Sequence, residues 1–146
     1  MKKEKFKMVS AVHLFFIREN KILLLRRYNT GYQDGMFSVV AGHLDGGEFV
    51  TSAASREAKE EADLTILEDD IDVIGIMHRF SDDERIDFFV NVRKWEGEIK
   101  NMEPDKCDLL EWFDIDDLPE NIIPYIKRAI NNFKNSVHFD EFNENE

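Results

Sequence analysis

Short runs rich in Val, Ile, Leu and Phe alternate with polar pairs along the first part of the chain. Met8 to Ile17 is one such run and Lys21 to Arg27 is another, with Glu19-Asn20 between them, a pattern that predicts a β-hairpin. Tyr28 to Gly35, which holds Asn29-Thr30-Gly31 and Asp34-Gly35, has the chemistry of a loop, and Met36 to Ala41 predicts another short strand. Gly42 to Gly47 then forms a glycine-bearing loop. From about Phe49 to Ala62 there is neither Gly nor Pro, and Ala and Glu dominate, which predicts a helix.

Ile71 to Phe80 and Arg85 to Trp95 flank Ser81-Asp82-Asp83-Glu84 and predict two strands joined by an acidic turn, with Leu109 to Phe113 adding a shorter one. Asp116-Asp117-Leu118-Pro119 and Pro124 punctuate the chain. Beyond them Ile126, Ala129, Ile130 and Phe133 recur at helical spacing, so Tyr125 to Phe133 predicts a second helix packed on one face. No repeat or linker divides the sequence, which is expected to form one domain over 1–140 followed by a polar tail, 141–146, that frays.

Composition narrows the possible roles. At 146 residues and 42% hydrophobic, with 12 Phe, the chain can fill one packed core. A formal net charge of −12 argues against wrapping a nucleic-acid polymer, which relies on clustered Lys and Arg, but permits a small phosphorylated ligand if metal ions bring positive charge. Cys107 is the only cysteine, so neither an internal disulfide nor a cysteine zinc site can be built. The N-terminal Met1-Lys2-Lys3-Glu4-Lys5 leads into no signal-peptide pattern, and no run approaches the roughly 18 apolar residues of a membrane span. The cytoplasm is the expected compartment.

The chemistry concentrates in Gly42-His-Leu-Asp-Gly-Gly-Glu48, seven residues, then Arg56-Glu57-Ala58-Lys59-Glu60-Glu61-Ala62-Asp63-Leu64. On a helix advancing about 100° per residue, Glu57, Glu60 and Glu61 share one face and are expected to converge. Crowded like charges are costly without a cation between them. A hard divalent ion that prefers oxygen, Mg²⁺ or alternatively Mn²⁺, suits carboxylates and can bridge to substrate phosphates. Ala54, Ala58 and Ala62 form a small-residue ridge beside that face, letting the helix lie close to a sheet. The glycine loop lets backbone approach a metal or phosphate. Glutamates along a helix are most often a solvated face. Here six fixed letters agree in one register, which has a chance on the order of 10⁻⁷ at about 7% per letter.

Gly42 to Leu64 resembles the Nudix box, G-x5-E-x7-R-E-U-x-E-E-x-G-U, and the predicted element order resembles that family over nearly the whole chain. The resemblance implies an α+β fold, an α/β/α sandwich whose mixed central sheet carries the box helix on one face and the C-terminal helix on the other. It also implies direct metal ligation by Glu57 and Glu61, metal binding or water activation by Glu60, and a supporting pair, Glu48 and Arg56. The backbone carbonyl of Ala41, just before the box glycine, matches a further ligand, and Glu103 resembles a loop carboxylate that reaches the metals in some members. Asp63 replaces the usual glycine after the paired glutamates; Asp tolerates a left-handed helix end better than most residues. Ala58 fills a position that is usually bulkier.

Outside the box the likeness is to MutT-type members, through Arg26-Arg27, Trp95-Glu-Gly-Glu98 and Asp116-Asp117-Leu118-Pro119. Arg27 matches an arginine that approaches substrate phosphate, Gly42 lies where backbone meets the substrate, and Asn121 stands one position early relative to an asparagine that reads a purine. His13, His43, His78 and His138 show no metal-type spacing.

The expected activity is Mg²⁺-dependent hydrolysis of a pyrophosphate linkage in a nucleoside triphosphate or other nucleoside diphosphate derivative, by attack of an activated water on phosphorus. Two rivals remain: an ADP-ribose or nucleotide-sugar pyrophosphatase, and a non-catalytic nucleotide-sensing module on the same fold. Either a monomer or a homodimer is compatible with the sequence.

Overall fold

A computed structural model describes residues 3–146. Two long strands, β1 (Val9–Arg18) and β6 (Glu84–Val92), run parallel at its centre, between β2 (Lys21–Arg27), β4 (Val40–His43), β5 (Ile71–Phe80) and a final strand, β8 (Phe139–Asn143). The strand order is β3–β2–β1–β6–β5–β8, where β3 is Phe37–Ser38; β4 also pairs with β1, and β7 (Cys107–Asp114) pairs with β2. The β1–β6 and β5–β8 pairs are parallel and the remaining pairs antiparallel, so the sheet is mixed.

The alternation of side chains along β1 sorts the core into two layers. Val12, Leu14 and Phe16 lie with Ala53, Ala54, Ala58 and Ala62 of α1 (Val50–Ala62), which covers one side. Phe15 lies with Ile126, Ala129 and Ile130 of α2 (Pro124–Lys134) on the other. Covered on both sides, β1 is buried from Ala11 to Phe16, which is why its sequence reads as a continuous apolar run rather than a polar alternation. The fold is the expected α+β arrangement of a mixed sheet with two helices.

Three expectations change. The segment 36–41 is not one strand: Phe37–Ser38 pairs with β2, the chain breaks pairing at Val39, and Val40–His43 pairs with β1. Strand β6 ends at Val92 instead of continuing to Trp95. The tail does not fray through 141–146, because β8 pairs with β5 from Phe139 to Asn143 and the Glu144 N–H donates to the Phe80 carbonyl at 2.9 Å. Its polar residues are held by main-chain bonds and by ion pairs, Arg128 with Asp140 and Arg79 with Glu144, so low hydrophobicity did not prevent ordering. Among the described residues no helix is long and apolar enough to cross a membrane.

Candidate active site

Helix α1 brings the box together. It ends where Asp63 adopts φ 58° and ψ 31°, the left-handed conformation a glycine would take more cheaply. The Leu64 N–H reaches back to the Ala58 carbonyl at 3.1 Å, and Lys59 pairs with the Asp63 carboxylate at 2.9 Å. At the other end Gly46 and Gly47, with φ of +83° and +71°, turn the loop so that Glu48 faces the helix.

Arg56 is the hub of this surface. Its guanidinium donates to Glu48 at 2.8 and 3.3 Å, to Glu57 at 2.7 Å, to Glu60 at 3.3 Å and to the His43 carbonyl at 3.1 Å; Asp45 lies 3.3 Å away. Glu48 in turn accepts from the Asp45 N–H at 3.0 Å, which closes the loop onto the helix. Hydrogen bonds from Arg56 hold the Glu48 carboxyl below its ordinary range.

Glu57 and Glu61 point inward against β4. The Glu57 carboxylate packs on Gly42 so closely that a β-carbon there would stand 2.1 Å from its Cδ and Oε1. Glu61 accepts from the Ala41 N–H at 3.1 Å. Burial, then Glu57 and Glu103, push the Glu61 carboxyl up to about 8, against the Ala41 hydrogen bond and the charge of Arg27. Burial likewise raises Glu57, opposed by Arg56. Glu103 acts on both inward carboxylates, because the loop after β6 is tied to the end of α1 by the Met102 N–H to Glu61 carbonyl bond of 3.2 Å.

Glu60 differs from its neighbours. More than half exposed, it turns to Arg56 instead of toward Glu61. Among the described residues no three acidic, His or Cys side chains stand close enough to form a metal cluster. The helical spacing put the three glutamates on one side, but Arg56 draws Glu57 and Glu60 toward itself.

Arg27 and Asn121 lie with the 28–35 loop instead of with the carboxylates. Arg27 donates to the Tyr32 carbonyl at 2.7 Å and to Thr30 Oγ1 at 3.1 Å, while Asp34 gathers Thr30 and the Gly31 N–H. The Asn121 side chain donates to the Gly35 carbonyl at 2.9 Å.

Sequence reasoning missed a buried polar network on the α2 side. Arg79 binds Asp87 through two hydrogen bonds of 2.6 and 3.1 Å and Glu144 at 2.7 Å, and it stacks 3.7 Å from the Tyr125 ring centroid. The Tyr125 hydroxyl meets His13 Nε2 at 3.1 Å. The available signal was an Arg and an Asp on the two arms of the hairpin around Ser81–Asp83, with Asp87 opposite Met77 and so two positions from Arg79 in register.

The model of the NUDIX domain matches residues 7–133. The chain belongs to the Nudix hydrolase family. Solved structures agree in fold: the MutT NUDIX hydrolase from Burkholderia pseudomallei superposes with a TM-score of 0.79 at 22% identity, covering 86% of this chain and 98% of that one. The MutT protein from Methanosarcina mazei Go1 gives 0.77 at 17% identity over 91% and 97% of the two chains. A NUDIX hydrolase from Nitrosomonas europaea gives 0.70 at 22% over 91% and 93%. Nudix hydrolases generally use divalent cations and act on small nucleotide substrates.

The inward carboxylates fit such a cation. Glu61 is partly buried, with an N–H as its hydrogen-bond partner and two further acids acting on it, and these carboxylates offer oxygen donors, which suit a hard ion.

Proposed function

We propose that this Nudix hydrolase cleaves a pyrophosphate linkage in a nucleoside triphosphate or related nucleoside diphosphate derivative, using Mg²⁺, or Mn²⁺ in its place. The observation that carries the reading is the pair of inward carboxylates, Glu57 on Gly42 and Glu61 on Ala41: Arg56 matches the charge of Glu57, whereas Glu61 is paired with no cationic side chain among the described residues.

In this reading Glu57 and Glu61 hold the ion, and Glu60, Glu103 and the Ala41 carbonyl supply the remaining protein oxygens. An ion bound there would offset phosphate charge and lower the pKa of water, so that hydroxide is available to attack phosphorus. Water adds to phosphorus, the bridging P–O bond breaks, and the proton passes to a carboxylate; Glu60 is the most solvent-accessible of the three. Arg56 orients Glu57, and Glu48 orients Arg56. Arg27, whose charge is felt at Glu61, meets a substrate phosphate; the Gly42 backbone allows close approach, and Asn121 lies toward the nucleoside end. The lone, buried Cys107 suits a reducing compartment, the cytoplasm.

The test is release of phosphate or pyrophosphate from a panel of nucleoside triphosphates, ADP-ribose and nucleotide sugars, with Mg²⁺ and with EDTA. Turnover should need the divalent ion and fall by several orders of magnitude in E57Q and E61Q, with the circular dichroism spectrum unchanged. Near-normal turnover in either variant overturns the assignment. Hydrolysis confined to ADP-ribose or nucleotide sugars transfers the activity to that class, and binding without turnover on any substrate identifies a sensing module.

A further inference from the structure

The ends of β1 differ. Its first half, Ala11 to Leu14, pairs with β4 and hence serves the carboxylates. Its last residues, Ile17 and Arg18, open onto a separate cleft of about 660 Å³, within the range of small-molecule sites. We infer that this cleft is a second ligand site, taking a mononucleotide-sized molecule with a planar ring that bears N–H donors and with an anionic group.

Arg18 is backed by an aromatic cluster of which Trp95 lines the cleft. Trp95 and Trp112 stack with centroids 6.1 Å apart, Trp95 stands edge-on to the core residue Phe16 at 5.3 Å, and the Arg18 guanidinium lies 4.8 Å over Trp95 and 5.7 Å over Trp112. A guanidinium within 6 Å of two aromatic ring centroids is restrained in position before any ligand arrives. The wall is fixed too: Thr65 and Glu96 exchange two main-chain bonds of 2.9 and 2.8 Å, and the Arg93 N–H donates to the Asp70 carbonyl at 2.8 Å.

The charge arrangement gives the ligand class. Acids outnumber bases by 31 to 19 in this chain. Yet Arg18 and Lys94, both on this cleft, form no ion pair with a carboxylate among the described residues, whereas their neighbour Arg93 is paired with Asp72 at 3.0 Å. Two unmatched cations in so acidic a chain suit an anion. The cleft also carries Asp70 and Glu96, acceptors that no cationic side chain occupies among the described residues and that suit ring N–H groups. Leu67, 68% exposed, and the planar Arg18 guanidinium offer the surface on which a flat ring packs. A nucleobase with an exocyclic amino group, joined to a phosphate, combines these features, and none of the groups assigned to hydrolysis lines the cleft.

The site carries its own reporter, because Trp95 and Trp112 are the chain's two tryptophans. AMP and GMP titrated in EDTA, read by red-edge tryptophan fluorescence and by equilibrium dialysis, should bind saturably. The E57Q/E61Q double variant should bind unchanged. R18Q and K94E should each bind about ten-fold more weakly, the loss of one charge-assisted contact. Lys94 is exposed, so K94E keeps the fold even if R18Q loosens the tryptophan stack. Inorganic phosphate at the same concentration should not displace AMP. Absence of saturable binding overturns the proposal, as does binding that survives K94E but is lost in E57Q/E61Q, or equal competition by inorganic phosphate.

Discussion

Gly42 and Glu57 occupy one van der Waals contact: a β-carbon added to residue 42 would fall 2.1 Å from the Glu57 carboxyl carbon. The absence of a side chain at 42 is thus what lets the carboxylate turn inward. Since Glu57 cannot pass through Cβ, G42A must push its head group out by an ångström or more. A displacement of that size costs about 100-fold in rate where geometry is exacting. G42A should therefore lose at least that factor in kcat while keeping its sheet, measured by steady-state hydrolysis beside circular dichroism.

Glu61 is a partly buried carboxylate pressed by two others, so relief of its charge should register as stability. In EDTA, E61Q should melt at a higher temperature than the parent, because the amide retains an acceptor for the Ala41 N–H without the charge. Mg²⁺ should stabilise the parent by about 2.7 kcal/mol at a hundred-fold excess over its Kd, raising its melting temperature, and should leave E61Q unmoved. Differential scanning fluorimetry with and without Mg²⁺ reads both effects.

The Arg79–Asp87 pair, with side chains 2% and 0% exposed, is a buried ion pair whose partners cannot be removed singly without cost. D87N should destabilise the fold by about 3–5 kcal/mol, since Arg79 keeps its full charge with Glu144 as its remaining acid. E144Q, at the rim of the same network, should cost about 1–3 kcal/mol. Urea titration measures both, and an E144Q cost within error of zero would mean the terminal segment does not hold Arg79.

Acid should weaken the fold through His13. Burial holds this imidazole down at about 4, against an ordinary 6.5, despite the pull of Asp87. Between those values the unfolded chain takes up a proton that the folded one refuses, so stability declines as pH falls from 6.5 to 4 and this contribution levels off below. The loss is on the order of 3 kcal/mol. H13Q, which cannot titrate, should flatten the dependence across that window in denaturant melts collected at successive pH values.

Much of the site was legible because it is local. Helical periodicity sets Glu57 and Glu61 on the side that meets β4, and Asp63 takes the left-handed end that its position after Ala62 requires. What could not be read depends on partners distant in sequence. The break at Val39 arises because Phe37 finds β2 and Val40 finds β1, a choice made by tertiary pairing. Strand β8 is polar and would not order alone; β5 supplies its main-chain partners and Arg79 captures Glu144. Likewise a matching position did not determine where Arg27 points, since Thr30 and the Tyr32 carbonyl, three and five residues on, compete for its guanidinium. Glu60 followed Arg56 one turn back for the same reason.

The passage from β3 to β4 couples two parts of the molecule by covalent length. Phe37 is bonded on both sides to the segment before α2, its N–H to the Asn121 carbonyl at 2.7 Å and its carbonyl to the Ile123 N–H at 2.9 Å, while Ala41 is bonded to Glu61. The four residues from one anchor to the other span at most about 14 Å. The tether bounds how far the Asn121 segment and the Glu61 carboxylate can separate, so a wider displacement of either must break one of these hydrogen bonds.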